Sequence, residues 1–186
     1  MRKTLLSWLP ADLRGRRILD AGCGTGALAV EAALRGADVV AIDLSPKLVE
    51  LARQRMPESF AQGSLEFLSG DMLDVQLGRF DHVVAMDSII HYQTKDAVDA
   101  LSRLAERTST SIAFTFAPRT PLLAAMISAG RLLPRTNRAP WLEPMAKEKL
   151  LALMAASPAF ANWTHNKDER VSSGFYKSQA MEWTRR

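Results

Sequence analysis

Apolar and polar positions along the chain alternate between short apolar runs and amphipathic segments. Arg2–Leu9 has the composition of one short helix. Arg17–Ala21 (RILDA) is an apolar run of strand length that ends in a glycine-rich turn. Thr25–Arg35 predicts a helix with Leu28, Ala32 and Leu34 on its apolar side, and Gly36 stands where helices commonly stop. Asp38–Ile42 (DVVAI) is rich in β-branched residues and predicts a second strand. Ser45 offers an N-cap and Pro46 a first helical residue for a helix to about Arg55, with Leu48, Leu51 and Ala52 inward. Leu65–Leu68 and Asp81–Met86 (DHVVAM) predict a third and a fourth strand. Lys95–Glu106 predicts a helix with Val98, Leu101, Leu104 and Ala105 inward, and Ser111–Phe116 (SIAFTF) a fifth strand. Such alternation predicts a parallel sheet covered by helices on both faces.

The pattern changes after Pro118. Pro121–Leu133 is an apolar helical stretch, Pro134–Pro144 a loop rich in proline and arginine, and Met145–Ala156 a further helix. Two late strands are predicted, near Trp163–Val171 and Phe175–Trp183. In the second, Phe175, Met181, Trp183 and the Lys177 stem share odd positions, which predicts a strand buried on one face. The length of 186 residues fits one domain. Its predicted parts are a short N-terminal helix (1–16), a core (17–116), helices and a loop that cover a substrate (117–156), and C-terminal strands (157–186).

Composition narrows the class. With 47% hydrophobic and 24% charged residues a packed core is expected and global disorder is excluded. A net charge of +4 is far below the basic density of a dedicated nucleic-acid binder. The excess is uneven: residues 1–120 hold 14 basic and 15 acidic groups, residues 121–186 hold 10 and 5. A diffuse attraction for anionic ligands or membrane surfaces would therefore reside in the last third. Cys23 is the only cysteine, which excludes an internal disulfide framework and a cysteine-built zinc site. His82, His91 and His165 are widely spaced, so no protein-bound metal is expected. Met1–Pro10 lacks the apolar core of a signal peptide, and no run approaches a membrane span of roughly 20 apolar residues. A cytoplasmic location is expected.

The strongest chemical signal is Leu19-Asp20-Ala21-Gly22-Cys23-Gly24-Thr25-Gly26, between a strand and a helix. Glycines there allow a tight turn and close backbone approach, and free helical N–H groups point at a ligand. With Ala27 the turn also satisfies the G-x-G-x-x-[GA] dinucleotide pattern, so alone it is ambiguous. Asp43 ends the second strand, where a carboxylate can accept from ribose hydroxyls; the bland alternative is a cap for the next segment. Asp71, in Gly70-Asp71-Met72, can accept from an adenine amino group or serve as a cap. Asp20 stands just before the glycines, near where an amino-acid ammonium would lie. Three carboxylates around the turn suit the donors of S-adenosylmethionine and would repel a pyrophosphate.

The set, in this order over residues 17–116, resembles the class I S-adenosylmethionine-dependent methyltransferases. The segments Met86-Asp87-Ser88-Ile89-Ile90-His91-Tyr92, Phe114–Leu123, Gly130-Arg131 through Arg138-Ala139-Pro140, and Val171–Ala180 resemble one family in particular, the magnesium-protoporphyrin IX methyltransferases of (bacterio)chlorophyll synthesis. The resemblance implies a Rossmann-like α/β fold with a mostly parallel seven-stranded sheet, helices on both faces and an antiparallel edge strand. It implies methyl transfer to one propionate of Mg-protoporphyrin IX, with S-adenosylhomocysteine as the second product. Implied cofactor contacts are Asp20, Gly22, Gly24, Gly26, Asp43, Leu44, Asp71, Met72, Met86 and Asp87. His91 is the catalytic candidate, weighed against a structural histidine. Tyr92, Arg119, Leu122 and Met126 are substrate candidates, weighed against packing and surface roles. Magnesium chelatase is an implied partner, and at most peripheral contact with the photosynthetic membrane is implied. Family members carry a longer N-terminal arm that folds over the active site, whereas 16 residues precede Arg17 here, so an open porphyrin site and reduced activity are expected. A methyltransferase for another carboxylate or a phenol, a dinucleotide-dependent oxidoreductase, and a non-catalytic porphyrin carrier remain alternatives on the sequence.

Overall fold

The short apolar runs of the sequence become strands of one seven-stranded sheet. The computed structural model describes residues 1–119, 142–173 and 176–186. In chain order the elements are α1 (Arg2–Trp8), β1 (Arg17–Ala21), α2 (Ala27–Leu34), β2 (Asp38–Asp43), α3 (Pro46–Gln54), β3 (Ser64–Ser69), β4 (Phe80–Ala85), α4 (Thr94–Ala105), β5 (Thr108–Phe116), α5 (Lys147–Ala156), β6 (Trp163–Ser173) and β7 (Tyr176–Arg185). The spatial order is β3-β2-β1-β4-β5-β7-β6. Strands β1 to β5 are parallel, and β7 runs antiparallel to both β5 and β6. The chain winds outward from β1 to β3, then crosses back to β4 and β5. This reversal opens a crevice between the carboxyl ends of β1 and β4.

Alternate strand residues feed two cores. Val39, Ala41 and Val84 face α1, α2 and α3, whereas Val40, Ile42, Val83 and Ala85 face α4 and α5. The predicted Lys95–Glu106 helix is α4, with Val98, Leu101, Leu104 and Ala105 buried as expected. Two helices differ from the predicted faces. In α2 the buried stripe is Leu28, Ala29, Ala32 and Ala33, while Leu34 is 62% exposed, because 3.6-residue periodicity turns it away from the sheet. In α3 the buried residues are Val49 and Ala52, and Leu48 faces outward at the crevice. Ser45 and Pro46 act as predicted: the Ser45 hydroxyl accepts from the Leu48 N–H at 3.4 Å, and Pro46 opens the helix.

The last strand is also more enclosed than its pattern suggests. Ser178, Ala180 and Glu182 are buried as well as Met181 and Trp183, because β7 is an inner strand with a core on each face: Met181 and Trp183 join one and Ala180 the other. The outermost strand, β6, carries the exposed polar run Asn166–Arg170, a poor template for further strand pairing. Phe175 and Pro121–Leu133 lie outside the described residues.

The β3–β4 connection, which brings Asp71 and Met72 to the crevice, is held by two arginines. Arg17 stands 4.7 Å from the Phe80 ring centroid and donates to the carbonyls of Leu77 and Arg79. Arg107 donates to the carbonyls of Met72 and Asp74. Among the described residues no helix is long and apolar enough to cross a membrane.

The two helix faces make a direct comparison. Leu101→Ala, at a fully buried site, should lower unfolding free energy by about 2–5 kcal/mol. Leu34→Ala should change it by less than about 0.5 kcal/mol. Urea unfolding followed by circular dichroism measures both.

Candidate active site

A cleft of about 600 Å³ occupies the crevice at the carboxyl ends of β1 to β4. Its floor is the glycine turn. Gly22, Gly24 and Gly26 have φ of 80°, 54° and 77°, in the left-handed region that favours glycine. The N–H groups of Gly22 and Cys23 both donate to the Ile42 carbonyl, at 2.8 and 3.0 Å, which ties the turn to β2. A Cβ on Gly22 would strike Ser88, and one on Gly26 would strike the Phe67 ring. At Gly24 nothing lies within 4 Å, so this part of the turn faces open space in the cleft.

Asp43 combines both roles foreseen for it. Its Oδ2 accepts from the Gly24 N–H at 2.9 Å and its Oδ1 from the Ser45 N–H at 2.8 Å, and the residue lines the cleft. Each carboxylate oxygen keeps a second lone pair, so tying the turn does not exhaust its capacity for ligand donors. Asp71 likewise caps the Leu73 N–H through Oδ1 at 2.8 Å and lines the cleft beside Met72. Leu44 is 74% exposed at the rim.

The facing wall follows β4. Met86, Asp87, Ser88, His91 and Tyr92 all line the cleft. Asp87 is the one described non-glycine residue with positive φ, 54°. Such a conformation costs an L-residue about 1–2 kcal/mol. Its N–H donates to Thr115 Oγ1 at 2.7 Å, and the Thr115 hydroxyl donates to Asp87 Oδ1 at 2.9 Å. The chain then makes a single tight turn, Ile89–His91, anchored by the fully buried Ile89. His91 is exposed at the cleft, and Tyr92 is half-buried between cleft and core. Backbone bonds from Glu143 to Ile90, Met145 to Ala117 and Arg119 to Met145 stitch the next segments against this wall.

Ten of the site residues expected from sequence thus come together: Gly22, Gly24, Asp43, Leu44, Asp71, Met72, Met86, Asp87, His91 and Tyr92. Gly26 lies behind the cleft surface against Phe67. Asp20 is buried beneath the turn rather than in its wall, and its Oδ2 has no hydrogen-bond partner. Arg119 is exposed and outside the cleft lining. Leu122 and Met126 lie outside the described residues. Sequence reasoning missed Ser88 and Leu48 in the lining and Thr115 behind it. Ser88 adjoins Asp87, but its seat over Gly22 arises only when β1 and β4 pair.

Burial dominates the electrostatics. It pushes the Asp20 carboxyl up to about 7, aided by the nearby Asp43 charge and opposed by the Ala29 backbone N–H. Burial, with Asp20 and Asp43, pushes the Cys23 thiol up to about 12, so the sulfur is a packed thiol rather than a nucleophile.

Comparison with known proteins decides the family. Residues 85–185 match the model of the magnesium-protoporphyrin IX methyltransferase C-terminus, and residues 18–110 match a general methyltransferase domain. The chain is 46% identical over 183 residues to the magnesium-protoporphyrin O-methyltransferase of Rhodobacter capsulatus, covering 98% of this chain and 78% of that protein. The chain belongs to the magnesium-protoporphyrin IX methyltransferase family. It is 33% identical to the Synechocystis enzyme of the same name, over 98% of this chain and 78% of the relative. The crystal structure of the Synechocystis magnesium protoporphyrin IX methyltransferase with bound SAH aligns at a TM-score of 0.81 and 29% identity, covering all of this chain and 83% of that one. The two family models meet within this site. The glycine turn lies in the general methyltransferase match alone, and the Met86–Tyr92 wall lies where the two matches overlap.

Asp20 supplies a test with a defined sign. Between about pH 4 and pH 7 the folded state binds more protons than the unfolded state, so stability falls as pH rises through this window. Asp20→Asn removes that loss while keeping a side-chain oxygen. Melting temperatures measured from pH 5 to pH 8 should fall less steeply for the variant, which should be the more stable protein at pH 8.

Proposed function

We propose that this chain transfers the methyl group of S-adenosylmethionine to a propionate carboxylate of Mg-protoporphyrin IX, giving the monomethyl ester and S-adenosylhomocysteine in (bacterio)chlorophyll synthesis. The observation that carries this reading is the family-specific match over residues 85–185, whose first part forms the cleft wall opposite the glycine turn. The residues present fit the cofactor. Gly24 leaves backbone open to a ligand, Asp43 and Asp71 are acceptors for hydroxyl and amino donors, and the buried unpaired oxygen of Asp20 favours a cation nearby.

When bound, S-adenosylmethionine supplies an electrophilic methyl on a positively charged sulfur. A propionate with pKa near roughly 4–5 is already ionised at neutral pH and needs no base. Its oxygen forms the new bond to carbon as the carbon–sulfur bond breaks and the electron pair stays on sulfur. No proton has to leave. The protein's task is therefore alignment, for which an effective concentration of reactants is the main source of rate. Asp43, with Leu44, is assigned to the ribose end, and Asp71 and Met72 to the adenine end. Gly22 and Gly24 give the backbone its approach, Gly26 lets the turn close against Phe67 behind them, and Met86 and Asp87 bound the cavity from β4. His91 is assigned to donate a hydrogen bond to the propionate, holding the attacking oxygen in line. Tyr92, Arg119, Leu122 and Met126 are assigned to the macrocycle and its carboxylates. Receipt of substrate from magnesium chelatase, by family resemblance, and peripheral contact with a photosynthetic membrane belong to the same proposal, and the excess of basic residues in 121–186 favours contact with an anionic surface.

The direct test is incubation with S-adenosylmethionine and Mg-protoporphyrin IX, followed by mass analysis. One added methyl on the porphyrin is expected, with less on metal-free protoporphyrin; no methylated product would overturn the assignment. His91→Ala should lower kcat about tenfold, the worth of one hydrogen bond, and leave S-adenosylhomocysteine affinity unchanged. Asp43→Ala should weaken S-adenosylhomocysteine binding by about 1–3 kcal/mol in calorimetry, because it removes a charged acceptor and frees the Gly24 N–H.

A further inference from the structure

One buried hydroxyl lies outside the cleft and yet determines the path of its wall. Thr115 is fully buried near the carboxyl end of β5. Its side chain is on the α2 side of the sheet, between the neighbours Phe114 and Phe116 that face α4 and α5. The hydroxyl grips Asp87 twice, accepting from its N–H at 2.7 Å and donating to its Oδ1 at 2.9 Å. Asp87 is where the backbone departs from ordinary L-residue geometry, with φ of 54°. A non-glycine residue keeps such a conformation only where its surroundings over-determine it. Ser88, His91 and Tyr92 in the facing wall come directly after that bend. Ser88 is set against Gly22 so closely that a methyl there would collide with it, and the Ile89–His91 turn leads His91 back to the cleft.

We infer that Thr115 is a positioning residue for methyl transfer: its hydroxyl locks Asp87 in the left-handed conformation that places Ser88 and His91 opposite the glycine turn. Thr115 touches neither cofactor nor substrate on this view; it acts through the backbone of Asp87. Both bonds are needed. The N–H bond fixes the peptide before the bend and the carboxylate bond fixes the side chain after it. An aliphatic residue of the same shape would fill the space and let the bend relax.

The inference rests on the methyltransferase reading above, and the test separates the two. Thr115→Val preserves shape and removes both bonds; Thr115→Ser preserves the hydroxyl. With Mg-protoporphyrin IX and S-adenosylmethionine, Thr115→Val should lower kcat at least tenfold, with KM for the porphyrin changed less than threefold. Thr115→Ser should recover kcat to within threefold of wild type. Glycine adopts the left-handed region freely. In an Asp87→Gly background, whose own activity is the reference, Thr115→Val should therefore cost less than twofold. Melting temperatures of all these proteins show whether each is folded at the assay temperature. Equal losses from Thr115→Val in the wild-type and Asp87→Gly backgrounds, no loss in the first, or no recovery with serine would each overturn the positioning role. A wild-type protein that methylates nothing would instead overturn the functional reading. In that event S-adenosylhomocysteine affinity reads the bend independently, because Met86, Asp87 and Ser88 line the cofactor cleft. Thr115→Val should weaken it at least threefold and Thr115→Ser should not, and equal affinities would overturn the role.

Discussion

The site depends on the close approach of two turns that are far apart in sequence. The turn after β1 and the turn after β4 leave no room for a Cβ at Gly22, where Ser88 sits. That contact is possible because β1 and β4 are neighbours, with Ile18, Leu19 and Asp20 in register with His82, Val83 and Val84. The strand pairing fixes the backbones at the spacing of one ladder, and the missing side chain lets the loops above them close over the same point. The ties from Gly22 and Cys23 to Ile42, and from Asp43 to Gly24, then bind β2 to the same arrangement. Three strand ends thus act as one rigid frame. A rigid frame suits a reaction in which the nucleophile is already ionised and geometry is the remaining requirement.

Negative charge is concentrated beneath and beside this frame. Asp20 and Asp43 end or nearly end adjacent strands, and Asp20 is shut away from solvent. The folded protein therefore bears a desolvation cost wherever Asp20 is ionised.

Much of this was legible in the sequence, for identifiable reasons. The strands β1, β2 and β4 are short apolar runs bounded by turn residues, and Ser45 with Pro46 announces α3. The glycines and the carboxylates after the first three strands are local signals, and they line the cleft or lie directly behind it. Leu34 departs from the predicted face because α2 (ALAVEAAL) is apolar nearly all round and its pattern sets no phase, and Leu48 departs because it adjoins Val49 and only one of the two can face the sheet. The enclosure of β7 could not be read from its odd and even positions, because Met181 and Trp183 pack into one core and Ala180 into the other. Ser88 and Thr115 act through partners 66 and 28 residues away, contacts that exist only after the sheet has assembled.

The one reversed strand has a geometric result of its own. Phe116, the last residue of β5, pairs with Gln179, and the pairs Val171–Ser178, Ser172–Lys177 and Ser173–Tyr176 continue beyond it. Were β7 parallel to its neighbours, these residues would stand at the opposite end of the sheet. Reversal delivers the closing hairpin of the chain to the same rim as the glycine turn and the His91 wall. Among the described residues the cleft lining comes from Gly22 to Tyr92, so the reversed strand extends this rim sideways without adding to the frame that holds the cleft floor.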